Sequence, residues 1–361
     1  MTTLTAADSA LDLDAYRARA EAHLTDFLAE REAEAQSEQL PTLAVEALQL
    51  FLAAGGKRLR PLLCACGWHA ASGGTETPGL VAAGAALEMF HAFALIHDDV
   101  MDRSATRRGA PTIHCRLAGH FAATYPPAQA EQLGISAAIL IGDLALTWSD
   151  QLLHEARLAP GTLARALDLI DAMRTEIMYG QYLDLIAAAQ TGAGLEAPLA
   201  VIRYKTAKYS IERPLQLGAI LAGADTGLTE ALSTFAVPLG EAYQLRDDLL
   251  GVFGVPCETG KSRLDDLREG KRTVLIALAL AAADPGQRTV LHAALGNQAL
   301  TEPEAERARE VLTAVGAGAW VEQMIEDRYG QALAALDQMA LPGPADQALR
   351  TLARLAVWRQ A

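Results

Sequence analysis

Residues 79–103 read GLVAAGAALEMFHAFALIHDDVMDR, a long and mostly apolar stretch rich in Ala and Leu that closes on three carboxylates. Its apolar positions recur at helical spacing, and it is far longer than a strand of ordinary length. The same spacing runs through nearly the whole chain, and no strand-like alternation persists. Candidate helices cover residues 12–35, 42–54, 61–72, 79–103, 130–156, 160–190, 195–223, 228–251, 271–284, 304–315, 317–340 and 343–359. Breaks fall at Gly55-Gly56, Gly73-Gly74, Gly109 to Pro111, Pro126-Pro127, Gly192 to Gly194 and Gly254 to Gly260, where glycine and proline end helices. There is no internal repeat and no linker long enough to divide the chain. The expectation is an all-α protein, one large helical bundle over residues 1–361.

Composition narrows the function. The chain has 361 residues, of which 51% are hydrophobic and 5% aromatic, with a net charge of −14. That acidity argues against a nucleic-acid partner. It also sits badly with anionic substrates, unless carboxylate-held divalent cations and a few local Arg and Lys residues reverse the sign where it matters. The first residues, MTTLTAADSALDLDAYRARAEAHL, lack a basic leader and an apolar core, so no signal peptide is expected. No unbroken apolar run approaches the roughly 20 residues of a spanning helix, so no transmembrane segment is expected. A cytoplasmic protein follows. Cys64, Cys66, Cys115 and Cys257 lack ligand spacing and read as reduced thiols.

Two acidic clusters carry the chemistry. In the first, Asp98 and Asp102 are four residues apart and share a helical face, with Asp99 beside them. Like charges at a helix C-terminus repel one another and oppose the helix dipole, a cost that binding a hard cation would offset. The second closes another long helix, in EAYQLRDDLLG at residues 241–251, with Gln244 one turn ahead of Asp247 and Asp248. Two helices each ending in paired aspartates can face one another across a cavity. Magnesium, which combines a few carboxylates with water and substrate phosphate, suits that arrangement.

The cations needed to hold phosphates lie near these clusters. GGKRLRP at residues 55–61 places Lys57, Arg58 and Arg60 after a permissive double glycine. Arg103, Arg107 and Arg108 follow the first cluster, and Lys205-Thr206, Lys261 and Lys271 flank the second. Arg offers phosphate a planar fork and Lys a compact charge. His91 lies two turns before Asp98 on the same face.

In order, GGKRLRP, HDDVMDRSATRRG, YKTA, YQLRDDLLG and TGK…DDLREGK resemble the trans-isoprenyl diphosphate synthases, and more narrowly the bacterial farnesyl/geranylgeranyl diphosphate synthase group. The resemblance implies a helical bundle around a central cavity, a homodimer, and condensation of an allylic diphosphate with isopentenyl diphosphate. It implies magnesium, three ions, held by Asp98, Asp99 and Asp102 on one side and by Asp247 and Asp248 on the other. It further implies that Lys57, Arg60, His91 and Arg108 bind isopentenyl diphosphate, and that Arg107, Lys205, Gln244, Lys261 and Lys271 contact the allylic diphosphate. Thr206 then lies near the developing carbocation, and Gln181 and Asp184 of MYGQYLDL form a supporting pair. Where family members commonly carry a third aspartate, this chain has Gly251, which puts metal affinity in question.

Product length is expected to depend on bulk below the first cluster. Phe93 and Phe90 lie about 7 and 12 Å before Asp98 along a helix axis and could stack as a floor, with small Ala94 leaving room. On the resemblance this favours geranylgeranyl diphosphate, with farnesyl diphosphate the close second. Core filling is the plainer reading of both rings. A class I terpene cyclase would share the aspartates and magnesium but needs no second diphosphate pocket. A non-catalytic partner subunit would tend to lose an aspartate motif, and Gly251 points mildly that way.

Overall fold

The computed structural model describes residues 11–72, 74–189, 194–254 and 263–358. Its first helices are α1 (Leu13–Ser37), α2 (Leu43–Ala53), α3 (Leu59–Ser72) and α4 (Pro78–Met101). A ribbon of two short strands follows, β1 (Thr106–Arg107) antiparallel to β2 (Ala110–Pro111), with Arg107 paired to Ala110. The chain continues through α5 (Ile113–Phe121), α6 (Pro127–Glu155), α7 (Pro160–Ala189) and α8 (Glu196–Val201). A π-helical stretch, Ile202–Glu212, leads directly into α9 (Arg213–Leu221), and α10 (Thr226–Phe253) ends this half. Beyond it lie α11 (Asp265–Glu269), α12 (Val274–Ala282), α13 (Pro285–Ala294), α14 (Glu302–Ala314), α15 (Ala317–Asp337) and α16 (Gly343–Val357).

The expected all-α bundle is what the chain forms. α4 starts at Pro78, whose missing N–H costs nothing in a first turn, and buries Phe90, Ile96 and much of its length. It packs along α6, while α10 packs on α15 and on the π-helical stretch, and α3 crosses α9. The buried apolar side chains form one contiguous cluster from Tyr16 to Val357.

Most expected helices lie within a few residues of their observed ends. The stretch 271–284 is instead α12 preceded by the single turn of α11, with Lys271 and Arg272 in the connection. Besides the five-residue α11, two helices escaped the periodicity: α5 buries only Ile113 and Leu117, and α13 only Leu291 and Ala294. Neither repeats its apolar face often enough to register. The start of α13 was nevertheless written in its capping box, in which Asp284 and Gln287 bond reciprocally to each other's backbone. α4 and α6 have the length and mean hydropathy of a membrane span, despite the polar residues that interrupt them. In α4 that window is 72% buried among other helices, as suits a core element. In α6 it is 33% buried, and Ile139 and Leu140 stand on the exposed face.

The π-helical stretch depends on two neighbours without side chains. A Cβ at Gly180 of α7 would lie 2.4 Å from the Lys205 backbone nitrogen, and one at Gly240 of α10 would lie 2.4 Å from Cα of Ala207. The widened helix is clasped from both sides. Gly240→Ala is therefore expected to destabilise the fold by about 2 kcal/mol or more. Gly119→Ala, where nothing lies within 4 Å of the added Cβ, should leave stability unchanged or raise it by about 0.5–1 kcal/mol. Denaturation midpoints of the two variants check this.

Candidate active site

A cavity of about 680 Å³ lies between the C-terminal part of α4, α7, the π-helical stretch, α10 and residues 265–273. Its size suits a small-molecule site. Both acidic clusters line it, with Asp98, Asp99 and Asp102 on one wall and Asp247 and Asp248 on another.

In the first cluster the three aspartates have different partners. Asp98 accepts a 3.0 Å hydrogen bond from Lys205 Nζ, which also donates to Asp184 at 2.6 Å. Burial opposes ionisation of Asp98, but Lys205, Lys271 and Arg107 hold its carboxyl below the ordinary value. Asp99 is almost fully buried and accepts a forked pair from Arg107 Nε and Nη2 at 2.7–2.9 Å. Arg107 reaches it from the β-ribbon, whose tight turn carries Arg108 and Gly109 at φ 53° and 74°, the left-handed pair that suits a two-residue hairpin. Asp102 lacks so close a cation. Burial and then Asp98 push its carboxyl up to about 7.

Lys205, Thr206, Tyr209 and Ser210 all come from the π-helical stretch and all line the cavity. In an α-helix, residues one and five apart would diverge by about 100–140° around the axis. The wider π-turn brings the four onto one side, in keeping with the placing of π-turns at functional sites. Thr206 Oγ1 donates to Gln244 Oε1 at 2.7 Å, and Gln244 Nε2 donates to Asp248 Oδ1 at 2.8 Å. Asp248 is buried, and that burial, with Asp266 and Asp247 nearby, raises its carboxyl well above the ordinary value despite the Gln244 bond. Lys271 joins the clusters, its Nζ lying 2.7 Å from Glu269, 3.4 Å from Asp266 and 3.9 Å from Asp102.

A second cavity of about 500 Å³ adjoins the first and is lined by Lys57, Arg58, Arg60, Arg107 and Arg108, with His91 between them. Of the three cations of GGKRLRP, Arg58, which had no substrate role assigned to it, turns inward. It is buried, paired with Glu88 at 2.7 Å and Glu21 at 2.9 Å, and donates to the Leu52 carbonyl. It anchors the loop that presents Lys57 and Arg60. Arg108 closes the loop from the other side through a hydrogen bond to the Gly55 carbonyl. The Arg60 guanidinium lies 4.5 Å from the Tyr209 ring centre and donates to Ser210 Oγ at 2.5 Å. His91 Nδ1 lies 3.0 Å from the Tyr209 hydroxyl. Burial, then the charges of Arg60, Arg107 and Arg108, lower the His91 value well below 6.5, so the imidazole is neutral. So much positive charge around a polar hollow is a receptor for an anion.

The donor set of the first cavity fits divalent cations. Its carboxylates are hard oxygen donors, and three of them, Asp99, Asp102 and Asp248, are held towards protonation by burial and neighbouring acids. Among the described residues no three His, Cys, Asp or Glu side chains converge tightly enough to hold a metal ion alone. Asp98, Asp102, Asp247 and Asp248 would therefore share ions that take their remaining ligands from phosphate and water, as magnesium does. Gln181 Nε2 and Arg272 Nε and Nη1, on the cavity wall, are buried without a hydrogen-bond partner, which suits polar groups awaiting an anion.

The apolar end of the cavity meets Phe93 and Ala94. Phe90 and Phe93 do pack together, ring centres 5.3 Å apart. Only Phe93 lines the cavity. Phe90 stands behind it, against Tyr209 at 5.8 Å and under the Arg174 guanidinium at 5.5 Å. Lys261 and Cys257 lie outside the described residues, and the other three cysteines are free. Sequence reasoning overlooked Tyr209, Ser210, Asp266, Glu269 and Arg272. The first two follow Lys205 and Thr206 by one turn of the helix on which YKTA was recognised, so helical spacing could have found them.

The polyprenyl synthetase family model matches residues 41–312. The geranylgeranyl diphosphate synthase of Sulfolobus acidocaldarius is 31% identical over 330 residues, covering 90% of this chain and 93% of the relative. A (2E,6E)-farnesyl diphosphate synthase of Mycobacterium tuberculosis is 30% identical over 309 residues, covering 85% and 80%. Among solved structures, geranylgeranyl pyrophosphate synthase from Corynebacterium glutamicum, complexed with isoprenyl diphosphate and magnesium, superposes with a TM-score of 0.92. It is 40% identical, and the match covers 96% of this chain and 99% of that one. With both acidic clusters and the basic pocket assembled in one fold, the chain belongs to the polyprenyl synthetase family and is a prenyltransferase.

Proposed function

We propose that the chain joins an allylic diphosphate to isopentenyl diphosphate, releasing diphosphate, with geranylgeranyl diphosphate as its product. The observation that carries this reading is the pairing of two adjoining cavities. The first holds most of the carboxylates, Lys205, Lys271 and an apolar end, the second adds Lys57 and Arg58, and Arg60, His91, Arg107 and Arg108 line both. A cyclase, which ionises one substrate, leaves the second without a purpose. A partner subunit without activity leaves Lys205 and Lys271 without one.

In this reading the allylic diphosphate lies in the first cavity, with Asp98, Asp99, Asp102, Asp247 and Asp248 as its metal-holding set. Magnesium held by this set, three ions on the family resemblance, would supply positive charge to the departing diphosphate. Arg107, Lys205, Gln181, Gln244, Lys261 and Lys271 orient it. Thr206 gives its hydroxyl hydrogen to Gln244, which leaves oxygen lone pairs for the cation that forms. Lys57, Arg60, His91 and Arg108 hold isopentenyl diphosphate so that its double bond attacks that cation, and holding two reactants in register supplies much of the acceleration. The released diphosphate takes the proton lost at the end. The product grows towards Phe93.

The chain with magnesium, labelled isopentenyl diphosphate and dimethylallyl, geranyl or farnesyl diphosphate is expected to yield geranylgeranyl diphosphate. Chelation or Asp98→Ala should lower turnover by about 10²-fold or more, and Phe93→Ala should shift products to longer chains. Diphosphate release from one primer without elongation would point to a cyclase, a farnesyl product to a higher floor. Arg60→Ala should raise KM for isopentenyl diphosphate by about 10–100-fold, the loss of charge-assisted hydrogen bonds, and leave KM for the allylic substrate unchanged. Equal effects on both would place Arg60 elsewhere. The same reading makes the molecule a homodimer, which the exposed Ile139 and Leu140 of α6 support. Sedimentation at a monomer's mass would count against it.

A further inference from the structure

The reaction as proposed gives Tyr209 no part. Yet the residue is buried and lies against three others of consequence. The Arg60 guanidinium is 4.5 Å from its ring centre, Phe90 is at 5.8 Å, and His91 Nδ1 is 3.0 Å from its hydroxyl. Arg60 and His91 each line both cavities. The ring contacts account for an aromatic side chain at 209, and phenylalanine would make them equally well. The hydroxyl needs a reason of its own.

A 3.0 Å contact between a phenol and a neutral imidazole can be written in two ways. In one, Nδ1–H donates to the phenol oxygen. The hydroxyl hydrogen then needs another acceptor in a buried place, and the neighbouring Arg60 guanidinium only donates. Nε2 is also left with a lone pair, which opposes any anion drawn into the cavities. In the other, the hydroxyl donates to Nδ1 and the ring carries its own proton on Nε2. Burial pushes the phenol up to about 12 against the pull of Arg60, so the hydroxyl has its proton to give. The three guanidinium groups around the ring donate elsewhere, to Ser210, Asp99 and the Gly55 carbonyl, so none of them calls on Nε2 for a lone pair. With Nδ1 occupied, Nε2 is the nitrogen that remains for the cavities the ring lines.

We infer that Tyr209 is a positioning residue for His91: its hydroxyl donates to Nδ1 and fixes the tautomer in which Nε2–H serves as a donor to the diphosphate of isopentenyl diphosphate. This rests on the reading of the basic cavity as the isopentenyl diphosphate pocket and deepens it. The pocket gains a hydrogen-bond donor without a further cation beside Arg60, Arg107 and Arg108. Phe90 and His91 are consecutive on α4, so one side chain of the π-helical stretch braces the ring behind the product floor and sets the proton of the next residue.

Proton–nitrogen correlation spectra of the substrate-free full-length chain, labelled with ¹⁵N-histidine, read the tautomer directly, His91 being assigned by its loss in His91→Gln. The wild type should show His91 protonated on Nε2 alone. Tyr209→Phe keeps the ring and its contacts. It should admit the Nδ1–H form and raise KM for isopentenyl diphosphate about threefold to tenfold, the range of one hydrogen bond, with kcat and KM for the allylic substrate unchanged. In a His91→Gln background the same substitution should add less than about twofold, because no tautomer remains to be set. A wild-type ring protonated on Nδ1 would overturn the inference with no variant needed. So would a tautomer that Tyr209→Phe leaves unchanged, or a KM effect of equal size in both backgrounds. The tautomer is read without substrate and does not depend on what the pocket binds. A wild type protonated on Nε2 that fails to elongate isoprenoids therefore sinks the pocket reading alone.

Discussion

Carboxylates gathered in a partly dry cavity repel one another, and the molecule is arranged around relieving that repulsion. Asp98 is held ionised chiefly by Lys205. Asp99, although it accepts the Arg107 fork, is pushed towards protonation by burial and by Asp98, as Asp102 and Asp248 are by burial and neighbouring acids. Lys205 and Lys271 pay the reciprocal cost: burial opposes their charge, but the surrounding acids raise both above the ordinary lysine value. What results is a site strongly charged in both signs and only partly balanced. Such a site has a differential affinity for a metal–diphosphate complex, because that ligand brings both signs at once. The acidic surface of the whole chain is no obstacle, since the field that matters to a substrate is local.

The two cavities divide the electrostatic work. The basic one is kept short of protons: a cationic His91 would face at least three guanidinium groups, so the ring stays neutral and acts as a hydrogen-bonding partner for Tyr209. Arg58 shows how a charge can serve the same pocket without touching it. Its pair with Glu88 is buried, and breaking such a pair leaves an uncompensated charge costing about 3–5 kcal/mol. The loop carrying Lys57 and Arg60 is thereby fixed by a cation that faces the protein interior.

Much of this was legible in the sequence because helices were long and their ends chemically marked. α4 announced itself by an apolar stretch no strand could hold, and the two aspartate clusters announced a shared cavity because both closed such helices. What stayed hidden depends on partners distant along the chain. Nothing local in GGKRLRP says that Arg58 faces inward, since Glu21 and Glu88 decide it. Nothing local to EAYQLRDDLLG says that Asp266 lies against Gly251. The ring of Phe90 could be placed below the first cluster by counting turns, but that it stands behind Phe93 follows from Tyr209 and Arg174.

The π-helical stretch was hidden for the same reason, since Gly180 and Gly240 admit it from other helices. Its consequence lies in how this part of the gene can vary. Substitution at an outward position changes one side chain and leaves the pitch alone. Loss of one residue between 202 and 212 would relax the stretch towards α-helical pitch, turning everything on one side of the deletion by about 100° relative to the other. Lys205 and Ser210 would then no longer face the same hollow. In this segment the site depends on length more than on spelling.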